Sequence, residues 1–165
     1  MTRYTTMDSP FGPLLLVADE QGRLTHVLAP DTKGQVSRPD PDWIADPAPF
    51  EEAAAQLTAY FAGDLKEFDL PLAPSGTEFR RRVWEALDSI PYGTTVTYGQ
   101  LAAAAGQPPN AVRAVAGAIG ANPLLIVRPC HRVIGANGSL TGFAAGLDAK
   151  RHLLRLEAAD QTLFG

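Results

Sequence analysis

Cysteine is nearly absent: Cys130 is the one thiol in 165 residues, and histidine occurs three times. A lone cysteine excludes an internal disulfide framework and any multi-cysteine zinc site. With His26, His131 and His152 as its soft companions, no metal site is expected, and no cofactor. Charged residues make up only 19% against 45% hydrophobic, which supplies a core and excludes disorder over most of the length. No apolar run approaches the roughly 18–20 residues that span a bilayer. The opening MTRYTTMDSPFG lacks the apolar stretch of a secretory signal. The expectation is a soluble cytoplasmic protein with no membrane partner, of one domain or two small ones.

The net charge of −4 is unevenly placed. Residues 1–75 carry 5 Lys/Arg against 12 Asp/Glu, a balance of −7, and residues 76–165 carry 9 against 6, a balance of +3. Such asymmetry points to an anionic ligand for the basic half.

The halves also differ in pattern. Arg3–Met7, Leu14–Ala18 and Leu24–Leu28 read as short strands of an antiparallel meander, joined by turn formers at 8–13 and by Asp19-Glu20-Gln21-Gly22. Residues 29–49, with five prolines, read as a surface loop. Phe50, Ala54, Leu57 and Phe61 recur at helical spacing, and Gly63 ends that helix. Residues 65–72 look like an extended linker, so the expected domains are 1–72 and 73–165. In the second, Phe79, Val83, Trp84 and Leu87 make a helical stripe, stopped by Pro91 and Gly93. Thr97-Tyr98-Gly99-Gln100 fits a capping box opening a short helix that ends at Gly106. After Gln107-Pro108-Pro109, Asn110 is the expected N-cap of a helix over 111–119. Two short helices across a tight turn make a helix-turn-helix. The fold class is α+β: a small antiparallel sheet with a helix, then a helical half.

The second of these helices is informative for what its face lacks. Ala111, Ala114 and Gly117 lie three apart, with Arg113 beside them. Reading bases requires side chains that reach donors and acceptors on base edges, and here Arg113 alone is long. Either the small residues let two helices pack closely, or the smooth face enters a groove and binds DNA without reading sequence.

Cys130 is flanked by His131, Arg128 and Arg132, with Asn122 upstream. A lone cysteine is by default a small buried hydrophobe. Its thiolate is the reactive form, however, and neighbouring cations or a histidine base favour it. Glu157 lies three and four positions after Leu154 and Leu153 on a helix expected over 147–157. A carboxylate on that apolar face needs a partner. A histidine would complete a Cys–His–Glu relay; Arg151 or solvent are the alternatives. Lys150 and Arg151 read as solvated, His26 and His152 as surface or strand-edge groups.

Pro129-Cys130-His131-Arg132-Val133, with Asn122-Pro123 upstream and Thr141-Gly142-Phe143 downstream, resembles the O6-alkylguanine-DNA alkyltransferase family. The resemblance is strong over 76–165 and agrees in architecture over the rest. It implies a ribonuclease H-like N-terminal domain and a C-terminal domain holding the helix-turn-helix and the active-site cysteine loop. The implied activity is that of a methylated-DNA–protein-cysteine methyltransferase. An alkyl group passes irreversibly, once per molecule, from O6 of guanine, less readily O4 of thymine, to Cys130. His131 is implied as the water-linked base, Glu157 as the acid that orients it, and Asn122 as the holder of the active-site turn. Tyr98 would contact the DNA backbone and help protonate the departing guanine, while Arg113 would fill the gap left by the flipped base. Ala111, Ala114 and Gly117 would lie in the minor groove. Backbone near Val133 and Ile134 would recognise guanine, and Phe143 and Ala144 would line its pocket. Arg132, with Arg80, Arg81 and Arg82, would meet phosphates. The implied partner is double-stranded DNA carrying alkylated guanine, bound by a monomer, with cooperative loading an open option and nucleoid association while on DNA.

An O6 alkyl group is buried in the duplex, so attack requires flipping the nucleotide at a cost of a few kcal/mol. A lesion can occur in any sequence, which suits a groove helix that reads no bases. Phe143 stands at a usual tyrosine position, Ala144 and Ala145 alter the following loop, and Arg128 replaces a usual apolar residue. The competing readings are a non-catalytic alkyltransferase-like lesion binder, against which Cys130 stands, a helix-turn-helix regulator with a structural cysteine, and a cysteine hydrolase.

Overall fold

The computed structural model describes residues 1–30, 38–140, 143 and 145–162, with side chains of the last helix described to residue 158. The chain forms two compact units, Met1–Pro74 with Pro123–Val127, and Ser75–Asn122 with Arg128–Gly165.

In the first unit, strands β1 (Arg3–Met7), β2 (Leu14–Ala18) and β3 (Leu24–Leu28) form the expected meander with the expected limits. The Asp19 carboxylate shapes the β2–β3 turn by accepting from the backbone N–H of Gln21 at 3.0 Å and Arg23 at 2.9 Å. β2 is central and buried along its whole length, which explains an unbroken apolar run instead of alternation. A fourth strand, β4 (Ile44–Ala45), pairs parallel with β1 and gives the order β3-β2-β1-β4. It lies inside the stretch expected to be loop. Two exposed residues held by a neighbour's backbone carry no alternation for a sequence to display. α1 (Glu51–Phe61) buries Ala53, Leu57 and Tyr60.

The linker is extended but pairs with β3: Leu24 donates to the Pro71 carbonyl at 2.9 Å and Ala73 to the Leu24 carbonyl at 2.8 Å. Residues 123–127 also meet β3, through Val27 N–H to the Pro123 carbonyl at 2.8 Å and Leu125 N–H to the Val27 carbonyl at 3.1 Å. There Ile126 adopts φ 72°, and Val127 N–H closes a γ-turn on the Leu125 carbonyl at 2.8 Å. Positive φ at a β-branched residue stores about 1–3 kcal/mol.

The second unit begins with α2 (Glu78–Leu87), capped by the Thr77 side chain, with Val83, Trp84 and Leu87 buried. β5 (Val96–Thr97) leads into α3 (Tyr98–Ala104), where the Thr97–Gln100 capping box forms in both directions. α4 (Val112–Gly120) follows a 3-10 turn over Pro109–Ala111. That turn overturns the expected Asn110 cap. Pro109 starts a turn of its own, the α-helix begins only at Val112, and its N-cap is Ala111, with no side-chain bond. β6 (Val133–Ile134) pairs parallel with β5. α5 (Leu147–Thr162) runs past Glu157, its expected end. Among the described residues no helix is long and apolar enough to cross a membrane.

Candidate active site

Pro129 fixes the approach to the thiol. At φ −81° and ψ 65° it centres an inverse γ-turn, closed by Cys130 N–H donating to the Arg128 carbonyl at 2.8 Å. A 3-10 turn over Cys130–Arg132 follows and runs into β6. Asn122, just beyond α4, donates from Nδ2 to the same Arg128 carbonyl at 3.0 Å. It therefore holds the turn, and its side chain also reaches the thiol.

His131 is fully buried, and Glu157 on α5 is 1% exposed. Nε2 of His131 lies 2.7 Å from Glu157 Oε2. Arg132 grips the same carboxylate through Nε at 2.8 Å and Nη2 at 3.0 Å, and its Nη1 donates to the Ile90 carbonyl at 2.7 Å. Gly93 N–H adds 3.2 Å to Oε1, and the Tyr92 ring lies 5.6 Å from the guanidinium carbon. A bidentate arginine and a backbone donor hold Glu157 ionised. An ionised Glu157 accepts from Nε2–H, so the other imidazole nitrogen, Nδ1, carries the lone pair. That atom is buried and makes no hydrogen bond to protein. Burial lowers the His131 pKa against the pull of Glu157, keeping the ring neutral and basic at neutral pH. Burial also pushes the Cys130 thiol up to about 11, opposed by the Asn122 side chain and the charge of Lys150. At rest, Cys130 is a thiol.

Two expectations are corrected. Arg132 is not a surface phosphate contact: it is 7% exposed and all three guanidinium nitrogens are engaged by Glu157 and Ile90. Lys150 is not solvated: it is 1% exposed and donates from Nζ to the Val133 carbonyl at 2.7 Å. The signal was available, because Lys150, Leu153 and Glu157 follow i, i+3, i+7 spacing and share one buried helix stripe. Arg128 also turns inward, with Nη2 3.5 Å from Asp88 Oδ2 at the end of α2.

The helix-turn-helix residues lie elsewhere on this unit. Arg113, Ala114 and Gly117 are exposed and Ala111 half-buried, and a Cβ placed on Gly117 or Gly120 would meet nothing within 4 Å. The face is open, so close helix packing is not what its small residues serve. Tyr98, the first residue of α3, is half-buried, as are Ile134 and Phe143, whereas Val133 is buried. Arg80 and Arg81 are exposed on α2, while Arg82 pairs with Glu78 at 2.8 Å. Ala144, with Thr141 and Gly142, lies outside the described residues. Among the described residues no group of three His, Cys, Asp or Glu could hold a metal ion.

Residues 2–74 match the 6-O-methylguanine DNA methyltransferase ribonuclease-like domain, and residues 78–159 the DNA binding domain of the same family. A methylated-DNA–protein-cysteine methyltransferase of Methanosarcina acetivorans is 53% identical over 94% of this chain and 98% of its own. One from Mycobacterium tuberculosis is 49% identical over 99% of both. The crystal structure of Mycobacterium tuberculosis OGT in complex with DNA superposes with a TM-score of 0.86 at 49% identity, covering 99% of each chain. Matched over both of its domains and by relatives about half identical along nearly its whole length, the chain belongs to the 6-O-methylguanine DNA methyltransferase family.

Proposed function

We propose that this protein repairs DNA directly, moving the alkyl group of O6-alkylguanine onto Cys130, irreversibly and once per molecule. The observation that carries this is the buried pair next in sequence to the cysteine: Glu157 fixes His131 through Nε2, which leaves Nδ1 as a base, and burial keeps the Cys130 thiol protonated. His131 Nδ1 takes the Cys130 proton through a bridging water. The sulfur attacks the alkyl carbon, the S–C bond forms as the C–O6 bond breaks, and the departing guanine is protonated with help from the Tyr98 hydroxyl. The product thioether has no leaving group that water can displace, so the molecule is spent.

The open face of α4 fits a minor groove, about 6 Å wide, where small residues permit close approach. Ala111, Ala114 and Gly117 make that approach, Arg113 fills the stack vacated by the flipped base, and Arg80 and Arg81 meet phosphates. Backbone at Val133 and Ile134 recognises guanine, with Phe143 beside it. Residues 1–72 serve as scaffold and 73–165 carry DNA binding and acceptance. The protein acts as a monomer in the cytoplasm, on the nucleoid when bound to DNA, and needs no cofactor.

The test is intact-mass spectrometry after mixing with a duplex containing O6-methylguanine. A gain of one methylene on Cys130, absent in Cys130→Ala, is the expected outcome. Tight lesion binding without a gain would instead mark a non-catalytic lesion binder, and sustained ester or amide turnover a hydrolase.

A further inference from the structure

We propose that Arg128 and Asp88 are a pair of positioning residues for alkyl transfer: their ion pair moors the turn that presents Cys130 to the end of α2. The Arg128 carbonyl is the shared acceptor of that turn, taking Cys130 N–H at 2.8 Å and Asn122 Nδ2 at 3.0 Å. Arg128 stands two residues before the thiol, so a shift of its backbone passes directly to the cysteine. Its side chain runs to α2, where Nη2 lies 3.5 Å from Asp88 Oδ2. Asp88 is the C-cap residue of α2. A carboxylate at that end opposes the helix dipole, so α2 itself gains nothing from the charge, and Arg128 answers it. On the other flank of Cys130 and His131, Arg132 Nη1 donates to the Ile90 carbonyl at 2.7 Å. The segment leaving α2 is therefore gripped from both sides of the cysteine.

The two partners differ in what each would do alone. The Asp88 side chain is 51% exposed and can turn to water. Arg128 cannot: it is 8% exposed, and its Nε is buried with no hydrogen bond to protein. A buried cation stripped of its counter-charge is strongly destabilising where it stands. It is relieved by moving toward solvent, and moving Arg128 carries the shared carbonyl with it. Replacing cation and anion together by apolar residues leaves no charge that must move. Loss of Asp88 should therefore harm the turn more than loss of Arg128, and loss of both should relieve the harm.

The proposal deepens the alkyl-transfer reading, and the test uses two readouts so that the two can fail separately. The first is hydrogen exchange of the Cys130 amide, followed by NMR at neutral pH against the amides of β2, which needs no DNA. The second is single-turnover transfer from an O6-methylguanine duplex at increasing protein concentration, which separates the limiting rate from half-saturation. Asp88→Leu is expected to speed Cys130 exchange about tenfold and leave the β2 amides unchanged. It is also expected to lower the limiting transfer rate about tenfold, with half-saturation unchanged. Arg128→Leu is expected to cost about threefold or less in either readout. Asp88→Leu combined with Arg128→Leu is expected to regain most of what Asp88→Leu loses. Should Asp88→Leu fail to fold, Asp88→Asn, which removes the charge and keeps the shape, makes the same comparison. Wild-type exchange and limiting rate without Asp88, or a loss that Arg128→Leu does not relieve, would overturn the proposal. Faster exchange spread equally over Cys130 and β2 would overturn it as well. Faster Cys130 exchange in the variant of a protein that takes no alkyl group from DNA would sustain the mooring and sink the transfer reading.

Discussion

The two units of this protein bury different kinds of residue. Among the described residues, the buried set of the first unit holds no charged side chain, and every residue of β2 belongs to it. The second unit buries Asn122, Arg128, His131, Arg132, Lys150 and Glu157 as well. An apolar core is forgiving, since a lost methylene costs its own transfer and cavity terms. A buried polar cluster is not, because removing one member leaves another desolvated and unanswered. The contrast separates a unit built on apolar burial from one that keeps a cluster of charged and polar groups inside, around the cysteine turn.

Four substitutions would break or sharpen that contrast. The largest effect is expected from Glu157→Gln, which leaves Arg132 buried without its anion and His131 without its orienting acid. Urea unfolding should show a loss of about 3–5 kcal/mol, and single-turnover transfer should slow by about 100-fold or more. Leu16→Ala, at a fully buried position of β2, should lose a comparable amount, about 2–5 kcal/mol. The transfer rate of its folded fraction should nevertheless match wild type; a large loss of rate there would erase the division between the units.

The third effect is on pH. The His131 pKa is lowered in the fold, so below the unfolded value of about 6.5 the unfolded chain binds the proton more readily than the folded one. This contribution to stability is complete above that value. It is lost as pH falls below it, at no more than about 1.4 kcal/mol per pH unit. Unfolding measured from pH 8 to 5 should show this slope in wild type and a shallower one in His131→Gln. The smallest effect is on the open helix. Gly117→Ala meets no atom within 4 Å and should stabilise α4 by about 0.5–1 kcal/mol, seen as a higher Tm. The same methyl should weaken duplex binding; unchanged binding would remove this face from the DNA contact.

What could be read without coordinates was local. The limits of β1 to β3 and the Thr97–Gln100 capping box follow from turn residues and side-chain periodicity within a few positions of each other. Glu157 was legible as a misplaced carboxylate on an apolar helix face, and its bond to His131 gives that oddity its partner. β4 was not legible, because two exposed residues depend on β1 for their conformation. Asn110 misled, since Pro109 opens a 3-10 turn before α4 starts.

The sequence by itself determined the three-stranded meander, the smoothness of the α4 face and the single cysteine, because each is written in residue type and short-range spacing. Only the tertiary structure decided which distant oxygens the internal cations reach. Arg132 reaches Glu157 across 25 positions and Ile90 across 42, and Lys150 reaches Val133 across 17. Basic side chains are ordinarily at the surface, and nothing within a helical turn of Arg132 or Lys150 signals the distant oxygen that makes burial tolerable. A buried charge is stable only with its partner in place, and the fold brings that partner.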